Sequence, residues 1–437
     1  MKKKLKINLI SLGCYKNLVD SEVILGRLAE RGFIPTPSSK AADVIIINTC
    51  SFIKRARKES HQVIARIISG KSPEQKLIIC GCLPQLEKRS LFEEYPQIDA
   101  LLGSADFSEI DQIIVSLWES GSRFFKVEEP IFLYDSSFPR FLSTPPSYAY
   151  LKIAEGCSNN CSYCLIPHLR GKFRSRISED VLREARDLVH LGVKELILIA
   201  QDTSLYGYDL KGKSLLSSLL ASLEEIKDLL WIRLLYAHPS HFPSSLSDYI
   251  STSEKVCPYI DLPLQHTHSE ILRLMGRPQF EETERLIEKL REKISGITLR
   301  TTLMIGFPGE KIKHFQKMLK DVERLKFDWL GAFIYSREKG TPAFSFSGQL
   351  SLREKRRRYR ELMDLQRGIT NQINQARIGK VYPVLVDKER EGHCRFQAPE
   401  IDGKIFLLRD ETPGRLERFI IKKVEKNYDL IGKKLEV

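Results

Sequence analysis

Six of the nine cysteines in this chain fall into two sets of three. In the stretch LKIAEGCSNNCSYCLIPHLRGKFRSR, from Leu151 to Arg176, Cys157, Cys161 and Cys164 stand within eight residues. The spacing Cys-x3-Cys-x2-Cys can bring three thiolates around one centre. His168 extends the series to a Cys3His set, which suits tetrahedral zinc. The alternative is an iron–sulfur cluster, which normally takes four thiolates. With only three, such a cluster keeps one iron open for a substrate or cofactor. On spacing alone both chemistries stay open.

The second set is dispersed. Cys14, Cys50 and Cys82 each end a short apolar run: INLISLGC, ADVIIINTC and KLIICGC. Helical patterns, DSEVILGRLAERGF and KRARKESHQVIARIISG, lie between them, and this alternation predicts a parallel α/β sheet. The carboxyl ends of parallel strands share one edge, so cysteines distant in sequence converge there. Cys80, two residues before Cys82, is expected on the same strand face and reads as a buried core thiol. Cys257 and Cys394 have no partner spacing and read as packing residues.

The elements that must position these residues form three blocks. The first, residues 1–125, is the α/β domain just described. A linker rich in Pro, Ser and Phe follows over 126–142. The second block, 143–372, repeats a strand-then-helix rhythm through AYLKIAEG, KELILIAQDT, WIRLLYAHP, YIDLPLQHT, TLRTTLMIGFP and FDWLGAFIYS. Six such units predict a partial (βα)6 barrel with its active site at the strand carboxyl ends. The Cys157 loop lies just past the first of these strands. The segment SLREKRRRYRELMDLQRGITNQINQARIG reads as a long basic helix with a solvated face. The tail, 373–437, offers short β runs separated by turn residues and predicts a small β-barrel.

Composition sets outer limits. Hydrophobic residues make up 42% and charged residues 29% of 437, as in a soluble globular protein of two or three domains. No run approaches the 18 apolar residues of a membrane span, and the basic, then apolar, start MKKKLKINLISLGC reads as a first strand. An odd number of cysteines without an export signal points to a reducing compartment, so a cytoplasmic protein is expected. The formal charge of +13 suggests an anionic partner such as ribosome or RNA.

CSNNCSYC resembles the signature of radical S-adenosylmethionine enzymes. That resemblance implies a [4Fe-4S] cluster on Cys157, Cys161 and Cys164. Its open iron chelates the methionine moiety, and one electron cleaves the sulfonium to a 5′-deoxyadenosyl radical. With Gly13-Cys14, Asn48-Thr49-Cys50 and Gly81-Cys82 at one end and a TRAM-like β tail at the other, nearly the whole chain is similar to the methylthiotransferases. These insert sulfur into an unactivated C–H bond and methylate it. The resemblance implies a second, auxiliary [4Fe-4S] cluster on Cys14, Cys50 and Cys82, whose open iron carries the sulfur species. It also implies S-adenosylmethionine contacts at Gln201 and Asp202, where relatives hold the amino group. Arg300 and the turn Gly306-Phe307-Pro308-Gly309-Glu310 lie where relatives approach ribose and adenine. His266 and His268, past the fourth barrel strand, read as hydrogen-bonding residues, and His168 receives no metal role.

Within the methylthiotransferases, several segments resemble the RimO group: SLGCYKNLVDSE, KIAEGCSNNCSYCLIPHLRGKFRSR, AQDTSLYGYDL, DLPLQHTHSEILRLMGR, FIYSREKGTPAF and FQAPEIDG. Enzymes that modify a tRNA adenosine usually have Gly-Cys-Gln-Met-Asn where this chain has Gly13-Cys14-Tyr15-Lys16-Asn17. Tyr15 departs from the Pro expected in the RimO group. The implied reaction is β-methylthiolation of an aspartate of ribosomal protein S-twelve, free or within the small ribosomal subunit, with tRNA adenosine 2-methylthiolation as the alternative. A low-potential electron donor and a sulfur source are implied as partners. The tail agrees with a protein substrate: from Arg377 to Val437, fourteen Lys and Arg face eleven Asp and Glu, a net of +3, whereas an RNA reader needs a stronger basic face.

Overall fold

Valine- and isoleucine-rich runs separated by amphipathic helices form a parallel sheet in the first 126 residues of the computed structural model, which describes residues 4–425 and 428–436. Its strands are β1 (Lys6–Ser11), β2 (Ile34–Pro35), β3 (Val44–Thr49), β4 (Lys76–Gly81), β5 (Ala100–Leu102) and β6 (Phe124–Lys126). They pair in the order β2-β1-β3-β4-β5-β6, all parallel. Every residue of β3 is buried, as a central strand covered on both faces requires. Ile46, Ile78 and Cys80 face the helices Tyr15–Glu30 and Ile110–Ser120; Ile45, Ile47 and Ile79 face Lys54–Gly70. The two- and three-residue strands β2, β5 and β6 went unread because they are too short to display a period.

One local expectation is corrected. The run through Cys82 was read as a single strand, but β4 stops at Gly81, whose φ is +95°. A Cβ on Gly81 would lie 2.4 Å from Asn48 Oδ1 and 2.7 Å from the Thr49 carbonyl oxygen. Only glycine tolerates both the approach and the left-handed backbone. Cys82 therefore opens a short helix, Cys82–Glu87, and does not share a strand face with Cys80.

The second block forms an open barrel. Its strands are β7 (Tyr148–Lys152), β10 (Glu195–Ile199), β11 (Trp231–Leu234), β12 (Val256–Asp261), β13 (Thr298–Ile305) and β14 (Trp329–Ile334), parallel and in that order. A two-stranded ribbon, β8 (Ala154–Glu155) with β9 (Arg174–Ser175), frames the Cys157 loop. Alternation along β7 turns Ala149 and Leu151 to the outer helices and Tyr148 and Tyr150 to the concave side. The long helix Leu352–Gln375 buries Lys355 and Arg358, and Arg358 Nη1 donates to Glu310 Oε1 at 2.6 Å. Its charge run is thus solvated on one side and anchored on the other.

The C-terminal strands β15 (Val381–Lys388), β16 (Glu391–His393), β17 (Ile405–Leu407), β18 (Leu416–Val424) and β19 (Leu430–Lys434) close a small barrel. The turn after β16 fills the base of the large barrel. Trp329 Nε1 donates to the Phe396 carbonyl oxygen at 2.7 Å, and Tyr259 OH to Asp402 Oδ2 at 2.7 Å. Arg233, fully buried, donates to Glu195 Oε1 at 2.6 Å and to the Arg395 carbonyl oxygen at 2.7 Å.

The linker is no loose spacer. Tyr134 is buried, and Arg140 donates to the Tyr150 carbonyl oxygen at 2.7 Å and to Glu184 Oε1 at 2.8 Å while pairing with Glu22. A Cβ on Gly26 would lie 2.1 Å from the Pro139 carbonyl oxygen, so the linker crosses the helix Tyr15–Glu30 in direct backbone contact. No helix is long and apolar enough to cross a membrane among the described residues.

His393 joins the two barrels, with Nδ1 2.9 Å from Asp387 and Nε2 2.6 Å from Glu195. Burial alone would lower its pKa, but the two carboxylates raise it to about 9. Glu195 goes the other way: burial opposes ionisation, yet Arg233 and His393 bring its pKa down to about 2. A histidine raised from its usual 6.5 contributes stability that is complete below pH 6.5 and lost as pH rises through 9. Between pH 6.5 and 9.5 the wild-type chain is expected to lose about 3 kcal/mol more stability than His393→Phe, as read by calorimetric unfolding at both pH values.

Candidate active site between the two sheet edges

Each thiol is placed by backbone geometry. Gly13, Gly81 and Gly156 precede Cys14, Cys82 and Cys157 and have φ of +97°, +95° and +79°. A Cβ on Gly13 would lie 2.5 Å from Cys50 Cβ and 2.8 Å from its Sγ, so the bare glycine brings the β1 and β3 ends together. A Cβ on Gly156 would meet the Lys172 carbonyl oxygen at 2.1 Å. Neighbouring side chains fix the same loops. Asn17 Nδ2 donates to the Leu12 carbonyl oxygen at 2.6 Å, and Asn48 Nδ2 to the Asn17 carbonyl oxygen at 3.0 Å. Ser60 Oγ donates to the Cys50 carbonyl oxygen at 2.8 Å, and Ser51 Oγ to that of Cys82 at 2.8 Å.

Electrostatics reports the same convergence. Burial pushes the Cys50 thiol up to about 12, and the charges of Cys82 and Cys14 add to it. Burial likewise pushes Cys164 up to about 12, with Cys161 and Cys157 contributing, although the Ile166 amide donates to its Sγ at 3.4 Å. A metal that takes these sulfurs must bind them as thiolates and release their protons. Tetrahedral zinc holds its donors roughly 3.8 Å apart, given a Zn–S bond of about 2.3 Å. Among the described residues, no set of three donors gathered within 4.8 Å of one another contains a cysteine, and His168 is exposed.

The two sets face each other. Cys82 packs against Leu165, which follows Cys164 directly, and Leu169. Behind this contact lies a buried charge cluster. Arg170 Nη1 donates to Asp20 Oδ2 at 2.6 Å and to Glu155 Oε2 at 3.3 Å, and Nη2 to Asn17 Oδ1 at 2.8 Å. Lys152 Nζ donates to Glu155 Oε2 at 2.6 Å and pairs with Asp20. All four charged residues are 5% exposed or less. Burial opposes the charge on Glu155, but Lys152 and Arg170 overcome it and hold the carboxyl well below its usual range. Little in the residue types signals this cluster, because Asp20, Lys152, Glu155 and Arg170 are of kinds normally found at surfaces. Their signal was positional: they flank the two cysteine motifs.

The other expected residues divide. Gln201, two residues past β10, lies beside the cluster: Nε2 is bonded to Glu155, while Oε1 is buried with no partner. Asp202 is occupied, accepting from Asn159 Nδ2 at 3.1 Å, His241 Nδ1 at 2.8 Å and the Ser204 amide at 3.1 Å. It thereby steadies Asn159, between Cys157 and Cys161. Arg300 is committed to the base of the barrel, pairing with Asp261 Oδ1 at 2.8 Å and Asp402 Oδ1 at 3.4 Å. The Gly306 amide donates to Glu310 Oε2 at 2.7 Å, which ties its turn to Arg358. His266 Nδ1 accepts from the Thr267 and His268 amides, both at 2.9 Å, as a hydrogen-bonding histidine does. A cavity of about 710 Å³, lined by Leu5, Arg31, Phe33 and Asp111, opens at the opposite edge of the first sheet.

Family models match all three blocks: Uncharacterized protein family UPF0004 over residues 6–103, the Radical SAM superfamily over 151–322 and the TRAM domain over 378–434. The chain is 44% identical to the ribosomal protein uS12 methylthiotransferase RimO of Desulforamulus reducens, covering 98% of each chain. It is 43% identical to the protein of the same name from Trichlorobacter lovleyi, covering 99% of each. Among solved structures, the radical S-adenosylmethionine methyltransferase TsrM from Kitasatospora setae, with cobalamin and a [4Fe-4S] cluster bound, aligns with a TM-score of 0.56. It is 16% identical and covers 78% of this chain and 77% of that one, a likeness of fold.

Two outcomes test this geometry. Gly13→Ala is expected to displace Cys50 and lower the iron taken up on anaerobic reconstitution, with unchanged circular dichroism. Asp20→Ala leaves two buried cations facing one anion and is expected to cost about 3–5 kcal/mol in urea unfolding.

Proposed function

The chain belongs to the RimO family of ribosomal protein uS12 methylthiotransferases, and on that footing we propose that it transfers a methylthio group to the β-carbon of an aspartate in uS12. The observation that carries the reading is the packing of Cys82 against Leu165 and Leu169, which sets one cysteine triplet opposite the other. Cys157, Cys161 and Cys164 would hold one [4Fe-4S] cluster, and Cys14, Cys50 and Cys82 a second, each with one iron left for an exchangeable ligand. When bound, these clusters and S-adenosylmethionine supply the electron, the radical, the sulfur and the methyl group.

The protein's part is to bind, orient and exclude water. Gln201 offers its unpartnered Oε1 as an acceptor for the methionine ammonium, with Glu155 holding the amide in that orientation. Asp202 keeps Asn159 and the cysteine loop in place. Leu165 and Leu169 put apolar surface against Cys82, which limits access of water to a reactive intermediate there. The near-balanced charge of the C-terminal barrel suits a protein substrate. The low-potential electron donor and the sulfur source come from outside the chain, in the cytoplasm.

The test is intact-mass measurement and peptide mapping of uS12 from cells with and without this gene. The expected result is loss of about 46 Da from one aspartate-containing peptide in cells lacking it. An unchanged uS12 together with a lost 2-methylthio group in tRNA would replace the proposal with tRNA modification.

A further inference from the structure

One buried cation beside the cysteines is left unused by the mechanism above. Lys16 lies two residues past Cys14, in the first turn of the helix Tyr15–Glu30, and is 8% exposed. Its Nζ donates to the Ala200 carbonyl oxygen at 3.4 Å and rests 3.4 Å from the centroid of the Tyr236 ring. Ala200 adjoins Gln201 at the end of β10. Tyr236 lies just past β11 in left-handed backbone, φ +60°, a strained conformation of the kind that persists where the surroundings impose it. The amine therefore stands at the mouth of the barrel, beside the turn that carries Cys14.

The amine is under-bonded. Glu155 is already engaged by Lys152, Arg170 and Gln201. Asp261 accepts from Arg300 Nη1 at 2.8 Å and from the Tyr236 amide at 3.1 Å. No carboxylate lies within 4.0 Å of Lys16 Nζ among the described residues, and of the three donors of an ammonium one makes a single long hydrogen bond. The face of Tyr236 meets the amine on one side, which leaves N–H donors free for an incoming acceptor. Cys14, the neighbouring ligand residue, is exposed, so the amine lies beside an opening.

We propose that Lys16 receives the side-chain carboxylate of the target aspartate and so fixes its β-carbon at the Cys14, Cys50 and Cys82 triplet. The inference rests on uS12 as substrate. The carboxylate is one bond from the carbon to be modified, so a cation that anchors the one positions the other. An S-adenosylmethionine carboxylate has the same chemistry. The aspartate is favoured because Lys16 rides on the element that carries Cys14, whereas Gln201 serves the other triplet.

The experiment is a double-mutant cycle on reconstituted holoenzyme, with Lys16→Met in the enzyme and Asp→Asn at the mapped position of uS12. Iron content and circular dichroism check that the variant is intact. Each single change is expected to weaken uS12 binding about tenfold or more. The pair together should cost little beyond either alone, and the dissociation constant for S-adenosylmethionine should stay unchanged. Lys16→Arg should recover part of the affinity. Unaltered uS12 binding by Lys16→Met, a full Asp→Asn penalty persisting in that variant, or weakened S-adenosylmethionine binding instead would overturn the assignment while uS12 remained the substrate. If Lys16→Met fails to take up iron, the wild-type enzyme must still discriminate Asp from Asn tenfold, and equal binding overturns the proposal. A wild-type enzyme that neither binds nor modifies uS12 overturns the substrate reading and this assignment with it.

Discussion

The cluster of Asp20, Lys152, Glu155 and Arg170 is the constraint on which the arrangement of this protein depends. Two cations and two anions are buried together, and each is tolerable only while the others are in place. Asp20 comes from the first domain and the other three from the barrel, so the cluster exists only when the two are docked. Apolar contacts such as Cys82 with Leu165 allow some sliding. A guanidinium bonded at once to Asp20, Asn17 and Glu155 does not. The separation of the triplets is thus specified by directional bonds.

The first turns of the helix Tyr15–Glu30 concentrate this function. Cys14 is its cap, and Tyr15 stacks on Tyr150 with ring centroids 4.3 Å apart. Lys16 reaches Ala200, Asn17 and Asp20 hold Arg170, Ser21 accepts from Asn48, and Glu22 accepts from the Ser143 amide at 2.8 Å. Within SLGCYKNLVDSE, nearly every polar residue closes a contact to another part of the fold. The base of the barrel repeats the device with Glu195, Arg233 and His393, where the C-terminal barrel docks. The catalytic barrel is therefore tied at both ends by charge pairs to separate domains.

What could be read in advance follows from range. Cysteine spacing, the strand–helix alternation of the first two blocks and the β character of the tail are local patterns, and they predicted the parallel sheet, the six-stranded open barrel and the small closed barrel. Buried ion pairs are not local: Asp20 and Lys152 are matched across 132 residues, and either alone looks like a surface residue. Cys82 was misplaced onto a strand because the conformation of Gly81 is imposed by Asn48 and Thr49 of a neighbouring strand. The linker read as a spacer because its anchors, Glu22 and Glu184, lie outside it. Arg300 carried a local signal of strand position but none of its pairing with Asp402, which lies in another domain.

The path of that linker has a further consequence. Surface connections usually absorb added or missing residues, which is where related chains drift in length. This one is pinned by buried Tyr134, by Pro139 against Gly26 and by Arg140 between Glu22 and Glu184. It has no slack to take up an insertion between those anchors. The number of residues there is part of the specification of the site, as much as the identity of the cysteines, and indels in this segment should be as poorly tolerated as substitutions in the core.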